Sequence, residues 1–90
     1  MATAPALDTV RSLIDLPRHC PAAVNRVDWH ALSEPEARRL REFGLDEGIE
    51  IALLHRSGVW GGPVGVRIGR MTVALRRHVA AAIHVSTDGG

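Results

Sequence analysis

The sequence predicts a small, mostly β domain: an antiparallel barrel of about five short strands, with one short α-helix inserted after the first strand. Three observations indicate this fold. Apolar residues alternate with other residues in several short runs, glycine- and proline-rich turn signals separate the runs, and one helix signal stands near the start. The chain of 90 residues is long enough for one core. Closing the sheet into a barrel would bury this core and leave few exposed edges.

The helix has the clearest local signal. Ser33 and Glu36 stand three positions apart, as in a capping box, so we expect the helix to begin at Glu34 or Pro35. The residues that should form its buried stripe, and the glycine that should end it in a left-handed conformation, are Ala37, Leu40, Phe43 and Gly44.

The strands are predicted from alternation. The first is expected over residues 22–28, and beyond Gly48 the apolar period changes from helical to alternating. In chain order, the later elements are strands at 49–56, from Val64 to Ile68 and from Met71 to Leu75, a helical turn at 79–82 and a closing strand at 83–85. We therefore assign residues 9–85 to one domain and expect residues 1–8 and 86–90 to be disordered.

Charge and cysteine usage exclude several classes of protein. The eleven basic residues are all Arg, and ten acidic residues leave a net charge of +1. A net charge this small gives little electrostatic attraction to nucleic acid or to an anionic membrane. Cys20 is the only cysteine, which excludes an intramolecular disulfide and a cysteine-rich zinc site. No apolar run approaches the roughly 18 residues of a membrane span. No phosphate loop or catalytic triad is visible. We expect a cytoplasmic protein that is not an enzyme and does not insert into membranes.

A family resemblance extends over about residues 13–85. It rests on the order and spacing of several short motifs: Leu13 and Leu16-Pro17, Val24 to Val27, Arg39-Leu40, Phe43-Gly44-Leu45, Gly48, Gly62-Pro63-Val64, Val66 to Gly69, Val73 to Arg76 and Ile83. This pattern resembles the ferrous iron transport protein A (FeoA) family. The sequence departs from the family where a glycine commonly follows the Leu-Pro pair, because Arg18-His19-Cys20-Pro21 stands there instead.

The resemblance implies an SH3-like barrel that acts as a cytoplasmic accessory protein of ferrous iron uptake. Such a protein would dock on the membrane GTPase that transports ferrous iron, with no catalytic motif or cofactor of its own. One alternative is a regulatory module like that of metal-dependent transcription repressors. Another is a small nucleic-acid-binding barrel, which the absence of Tyr and of strand aromatics makes unfavourable, so we expect no nucleic-acid partner. Self-association is left open.

The candidate partner-binding residues are one tryptophan and four arginines: Trp60, Arg38, Arg41, Arg76 and Arg77. Trp60 stands between Val59 and two glycines in an expected hairpin tip, and exposed tryptophans are enriched at binding hot spots. The alternative for Trp60 is to cap the mouth of the barrel. A charged helix face is often only solvated, which is the alternative for Arg38 and Arg41.

We predict no metal site within a single chain. The five histidines are spread along the sequence, and no His-x-x-x-His pair would place two imidazoles on one helix face. Neighbouring His19 and Cys20 would point to opposite sides of an extended segment. A site shared between two chains, with Cys20 as one ligand, is left open.

Replacement of Trp60 tests its assignment as a docking residue. Trp60→Ala should leave the fold intact and weaken binding to the partner, because it removes a large apolar anchor from a loop. The measurement is the affinity for the partner, together with the circular dichroism spectrum. An unchanged affinity in a folded variant would show that Trp60 does not dock.

Overall fold

The chain folds around one antiparallel sheet. In a computed structural model, which describes residues 9–56 and 62–87, the sheet has six strands, accompanied by two short α-helices and two 3-10 turns. The strands are β1 (Thr9–Ser12), β2 (Ala22–Val27), β3 (Glu50–Arg56), β4 (Val64–Ile68), β5 (Met71–Leu75) and β6 (Ile83–Thr87). The helices are α1 (Glu34–Glu42) and α2 (Arg77–Ala81), and the 3-10 turns are Leu13–Asp15 and Trp29–Ala31.

The sheet has the strand order β1-β6-β2-β3-β4-β5, with every neighbouring pair antiparallel. Register shifts occur in β2 between Val24 and Arg26 and in β3 between Leu53 and His55. Such bulges increase local twist and bend a strand, which lets a short sheet curl around its own core. In the described residues, β1 and β5 end the sheet and no ladder joins them.

The core is formed mainly by side chains of this sheet. Alternation along β3 and β4 places Ile51, Leu53 and Val66 in the interior with no exposed surface. The other fully enclosed large side chains come from the first 3-10 turn, α1 and the remaining strands, and they include Leu13, Leu16, Leu40, Val64, Ile83 and Val85.

Helix α1 begins and ends as the sequence predicts. The backbone N–H of Ser33 donates to Glu36 Oε1 over 2.9 Å, and the N–H of Glu36 donates to Ser33 Oγ over 3.3 Å, which completes the capping box. Gly44 follows the helix with a φ of +84°, a conformation that glycine adopts without a steric penalty. Ala37 and Leu40 are buried and Phe43 is half-buried against the core.

Two features of the sheet differ from the expectation. The sheet has six strands where about five were expected, because residues 9–12 also form a strand, so the helix follows the second strand and not the first. Strand β6 continues to Thr87, two residues beyond the predicted domain end at residue 85, because Ser86 pairs with both Val10 and Ala23, and Thr87 pairs with Thr9. The remaining expected disordered residues, 1–8 and 88–90, lie outside the described residues.

The loop between the first 3-10 turn and β2 contains an unusual backbone conformation. His19 has a φ of +63°, in the left-handed region that only glycine enters without penalty. Its N–H donates to the carbonyl of Leu53 over 2.7 Å, which holds the loop against β3. This is the loop in which the sequence lacks the glycine common in the family it resembles.

A glycine at position 19 should therefore be tolerated better than one at its neighbour. His19→Gly removes a left-handed penalty of about 1–2 kcal/mol and adds about 0.5–1 kcal/mol of unfolded-state entropy, so its stability should equal or exceed that of the parent. The control Arg18→Gly gains nothing and should lose about 0.5–1 kcal/mol. Urea unfolding of both variants provides the measurement. A larger loss for His19→Gly than for Arg18→Gly would contradict the argument.

Candidate partner-binding site

Three consecutive basic residues line a shallow groove at the start of α2. Arg76, Arg77 and His78 contribute to its edge, and the groove has a volume of about 750 Å³. All three side chains are exposed. Among the described residues, the others that line the groove are apolar: Ile14, Pro63 and Ala81. We call this the α2 groove; an apolar floor with basic groups beside it can receive a peptide that carries both apolar and acidic side chains.

A second groove, of about 250 Å³, lies between α1 and the end of β5. Arg39 and Leu40 line it from the helix, and Ala74 and Leu75 line it from the strand. Arg76 lines both this cavity, which we call the α1–β5 groove, and the α2 groove. The two grooves therefore meet at one arginine.

A contact between the two helices borders these grooves. His78 Nε2 lies 2.7 Å from Glu36 Oε2, which joins the start of α2 to the first turn of α1. The hydrogen bond from the backbone N–H of Ser33 lowers the pKa of Glu36 below its ordinary value of 4.5, and the contact with His78 acts in the same direction. A charged Glu36 therefore supports both the helix cap and the link between the helices.

The 3-10 turn that forms one wall of the α2 groove is held by an arginine. The guanidinium of Arg56 donates to the carbonyl of Ile14 from Nε over 3.2 Å and from Nη2 over 2.7 Å. Its Nη2 also donates to the carbonyl of Leu16 over 2.8 Å. These bonds place Ile14 opposite α2.

The structure brings together two of the five predicted partner-binding residues. Arg76 and Arg77 line the α2 groove, whereas Arg38 and Arg41 are exposed on α1. The guanidinium of Arg41 lies 4.4 Å from the ring centre of Trp29, so part of its surface is engaged within the chain. Trp29 itself is half-buried and packs against the core. Trp60 lies outside the described residues, and its role stays a prediction.

Sequence reasoning missed four of the described lining residues of the α2 groove: Ile14, Pro63, His78 and Ala81. Ile14 and Pro63 are 49 positions apart in sequence, and neither carries a motif that points to a site. His78 directly follows Arg76-Arg77, so the run of three basic residues was the one available signal. The contact of His78 with Glu36 could not be predicted from sequence, because it depends on how α2 lies relative to α1.

Metal ligands do not cluster in the part of the chain that the structure describes. Within residues 9–56 and 62–87, no three His, Cys, Asp or Glu side chains lie close enough together to hold an ion. Cys20 is an exposed free thiol beside exposed His19. Between the same limits, no helix has the length and apolar composition needed to cross a membrane.

The curled antiparallel sheet with its inserted helix defines a small SH3-like β domain. Its relationships identify the family: a profile of the FeoA domain matches residues 11–87. The chain belongs to the FeoA family.

Several solved structures share the fold. FeoA from Stenotrophomonas maltophilia, solved with zinc and described as an SH3 domain protein, is 35% identical, with a TM-score of 0.68 over 82% of this chain and 87% of that chain. Iron(II) transport protein A from Clostridium thermocellum is 28% identical, with a TM-score of 0.73 over 88% of this chain. The present chain spans 46% of the length of that protein.

A likeness to a transcription repressor shows the fold alone. A manganese-dependent transcriptional repressor has a TM-score of 0.75 at 22% identity, over 89% of this chain and 42% of the repressor. Among proteins with curated descriptions, none matches the chain.

The link through Glu36 should make stability depend on pH. Because folding lowers the pKa of Glu36, the stabilisation is complete above pH 4.5 and is lost as the pH falls through the lower, folded-state value. Glu36→Gln keeps a capping-box residue but removes the charge. The variant should therefore be less stable than the parent at pH 7 and equally stable in acid, as measured by thermal unfolding across pH.

The matched control is Glu34→Gln, which removes the same charge from the same helical turn. In the described part of the chain, the Glu34 side chain makes no hydrogen bond like those of Glu36. Its stability difference from the parent should be smaller. Equal pH profiles for the two variants would contradict a specific contribution of Glu36.

Proposed function

We propose that this protein is a non-catalytic, cytoplasmic accessory protein of ferrous iron uptake that docks on the cytoplasmic part of a membrane GTPase iron transporter. The observation that carries the proposal is the match of the FeoA domain to residues 11–87. Two relatives support it: one is called an iron(II) transport protein, and the other is described as a candidate bacterial ferrous iron transport activating factor. The proposal extends these descriptions to this chain.

The α2 groove is the surface we propose for docking. It combines apolar residues with exposed basic groups, and Arg76 and Arg77 stand side by side at its edge. A partner segment with acidic and apolar side chains would complement both features. Arg38 and Arg41 on α1 are proposed to contact the partner more peripherally, because exposed interface rims usually contribute less free energy than buried centres.

A cytoplasmic location is consistent with the chemistry of the surface. The single cysteine, Cys20, is a free and exposed thiol. Exposed thiols persist in reducing compartments, whereas oxidising ones promote disulfides between chains.

Charge reversal in the α2 groove tests the docking proposal. The double variant Arg76→Glu, Arg77→Glu should bind the cytoplasmic region of the host's ferrous iron transporter about tenfold more weakly or worse, since attraction to acidic groups becomes repulsion. The measurement is calorimetric titration at low and moderate salt, with ferrous iron uptake measured in cells that carry each variant.

The matched control is Arg11→Glu, Arg26→Glu, which makes the same change in net charge at exposed residues of β1 and β2. It should bind like the parent. If the parent protein does not bind the transporter and its removal leaves iron uptake unchanged, the proposed function is wrong. Equal losses in both double variants would show that net charge matters and the groove does not.

A further inference from the structure

Within residues 9–56 and 62–87, the outer edge of β5 has backbone groups that no other strand pairs with. The β4–β5 hairpin turns at Gly69 and Arg70, and Ile68 pairs with Met71. In such a two-residue hairpin the pair flanking the turn is hydrogen-bonded, and bonding then alternates along the strands. Met71, Val73 and Leu75 therefore bond to β4. The N–H and C=O groups of the two residues between them, Thr72 and Ala74, point away from the sheet.

These outward groups have no strand partner among residues 9–56 and 62–87, where β5 is paired with β4 alone. Exposed edges are usually protected by charged residues, prolines or bulges. The sequence from Met71 to Leu75 has no charge and no proline, and its register with β4 is unbroken. The opposite edge, β1, is interrupted by exposed Arg11. The β5 edge is thus open to an added strand.

Space for the side chains of an added strand exists beside this edge. The α1–β5 groove lies next to Ala74, with Leu40 on its helical side. Towards the hairpin turn, Met71 is 43% exposed and Val73 is half-buried, so the apolar face of β5 extends outward from the core. An extended peptide could bond to Thr72 and Ala74 while its side chains reach both the groove and this apolar face.

The charges that flank β5 indicate what kind of strand would fit. Arg70 precedes the five uncharged residues, and Arg76 and Arg77 follow them. All three arginines are exposed. A second copy of this chain, paired antiparallel and centred on Val73, would place Arg70 opposite Arg76 of that copy at both ends. Like charges directly across a strand pair are destabilising, so the centred pairing of two copies is disfavoured.

We propose that β5 binds an extended segment of a partner protein as an additional strand. The segment would have uncharged residues opposite Met71 to Leu75 and carboxylates at both ends, facing Arg70 on one side and Arg76-Arg77 on the other. The proposal deepens the docking function above and rests on it for the identity of the partner. The chemistry of the added strand follows from the β5 surface alone.

A synthetic peptide tests this chemistry without the transporter. The probe is Glu-Glu-Val-Thr-Val-Thr-Val-Glu-Glu, titrated into the isotope-labelled full chain at low salt. The largest amide shifts should occur at Thr72 and Ala74, whose N–H groups would become hydrogen-bonded. A matched peptide with Lys in place of every Glu should bind about tenfold more weakly or not at all.

Variants of β5 separate backbone pairing from charge. Ala74→Pro removes an outward N–H but none that bonds to β4, a position where an edge strand tolerates proline, and it should abolish peptide binding. Ala74→Val keeps the N–H and should bind. If Ala74→Pro fails to fold, Arg70→Glu, Arg76→Glu decides: it should favour the Lys-flanked peptide over the Glu-flanked one.

Four results would overturn the proposal. The first two are peptide-induced amide shifts away from β5 and unchanged peptide binding by folded Ala74→Pro. The third is a concentration-dependent shift of the β5 amides without peptide, which would indicate self-association. The fourth is displacement of the peptide by an oligonucleotide that shifts the signals of arginine side chains alone. If a folded Ala74→Pro variant still binds the transporter fragment, strand addition at β5 is wrong but the proposed docking function stands. If the peptide binds at β5 and the transporter does not bind, strand addition stands and the docking function is wrong.

Discussion

The arrangement of the chain depends on the pairing of β6 with two strands at once. It lies between β1 and β2, so the last described strand is bonded both to the first strand and to its successor. Ile83 and Val85 present fully buried side chains to the core from this central position. Removal of β6 would separate β1 from the rest of the sheet and expose the interior. The register of β6 therefore fixes the position of β1 relative to β2.

The position of helix α2 is set by β6, because only one residue separates the two elements. The hydroxyl of Ser12 in β1 donates to the carbonyl of Ala81 over 3.0 Å, so β1 also holds the end of α2. Across from α2, the first 3-10 turn, Leu13–Asp15, is held by hydrogen bonds from the Arg56 guanidinium. The α2 groove is thus formed between two elements that distant parts of the sheet keep in place, and a bound peptide would meet a preformed surface.

The elements with strong local signals were predictable from sequence. The capping box of Ser33 and Glu36 predicted α1. The alternating apolar residues of β3, β4 and β5 predicted strands, because a side-chain period of two follows from the local geometry of an extended backbone. Strand β1 was missed because Thr9, Arg11 and Ser12 carry little apolar pattern, and their pairing with residues 84–87 is a long-range contact. No local rule reports a partner that lies more than 70 positions away.

The same distinction applies to the surfaces. Arg76 and Arg77 could be selected as candidates, since charge is visible in the sequence, but their groove needed Ile14 and Pro63 to be brought beside them. The openness of β5 was also hidden, because a strand becomes an edge through the topology of the whole sheet. The arginines that flank β5 indicate an acidic partner strand only when β5 is known to be an edge.

The junction of the first and last described strands also affects how the molecule is made. The residues of β1 leave the ribosome more than 70 residues ahead of their partners in β6. The β1–β6 ladder cannot form until β6 has been synthesised, and contacts between such distant residues carry a loop-closure entropy cost. Until then β1 and β2 lack their shared neighbour, so the arrival of β6 completes this side of the sheet in a single step.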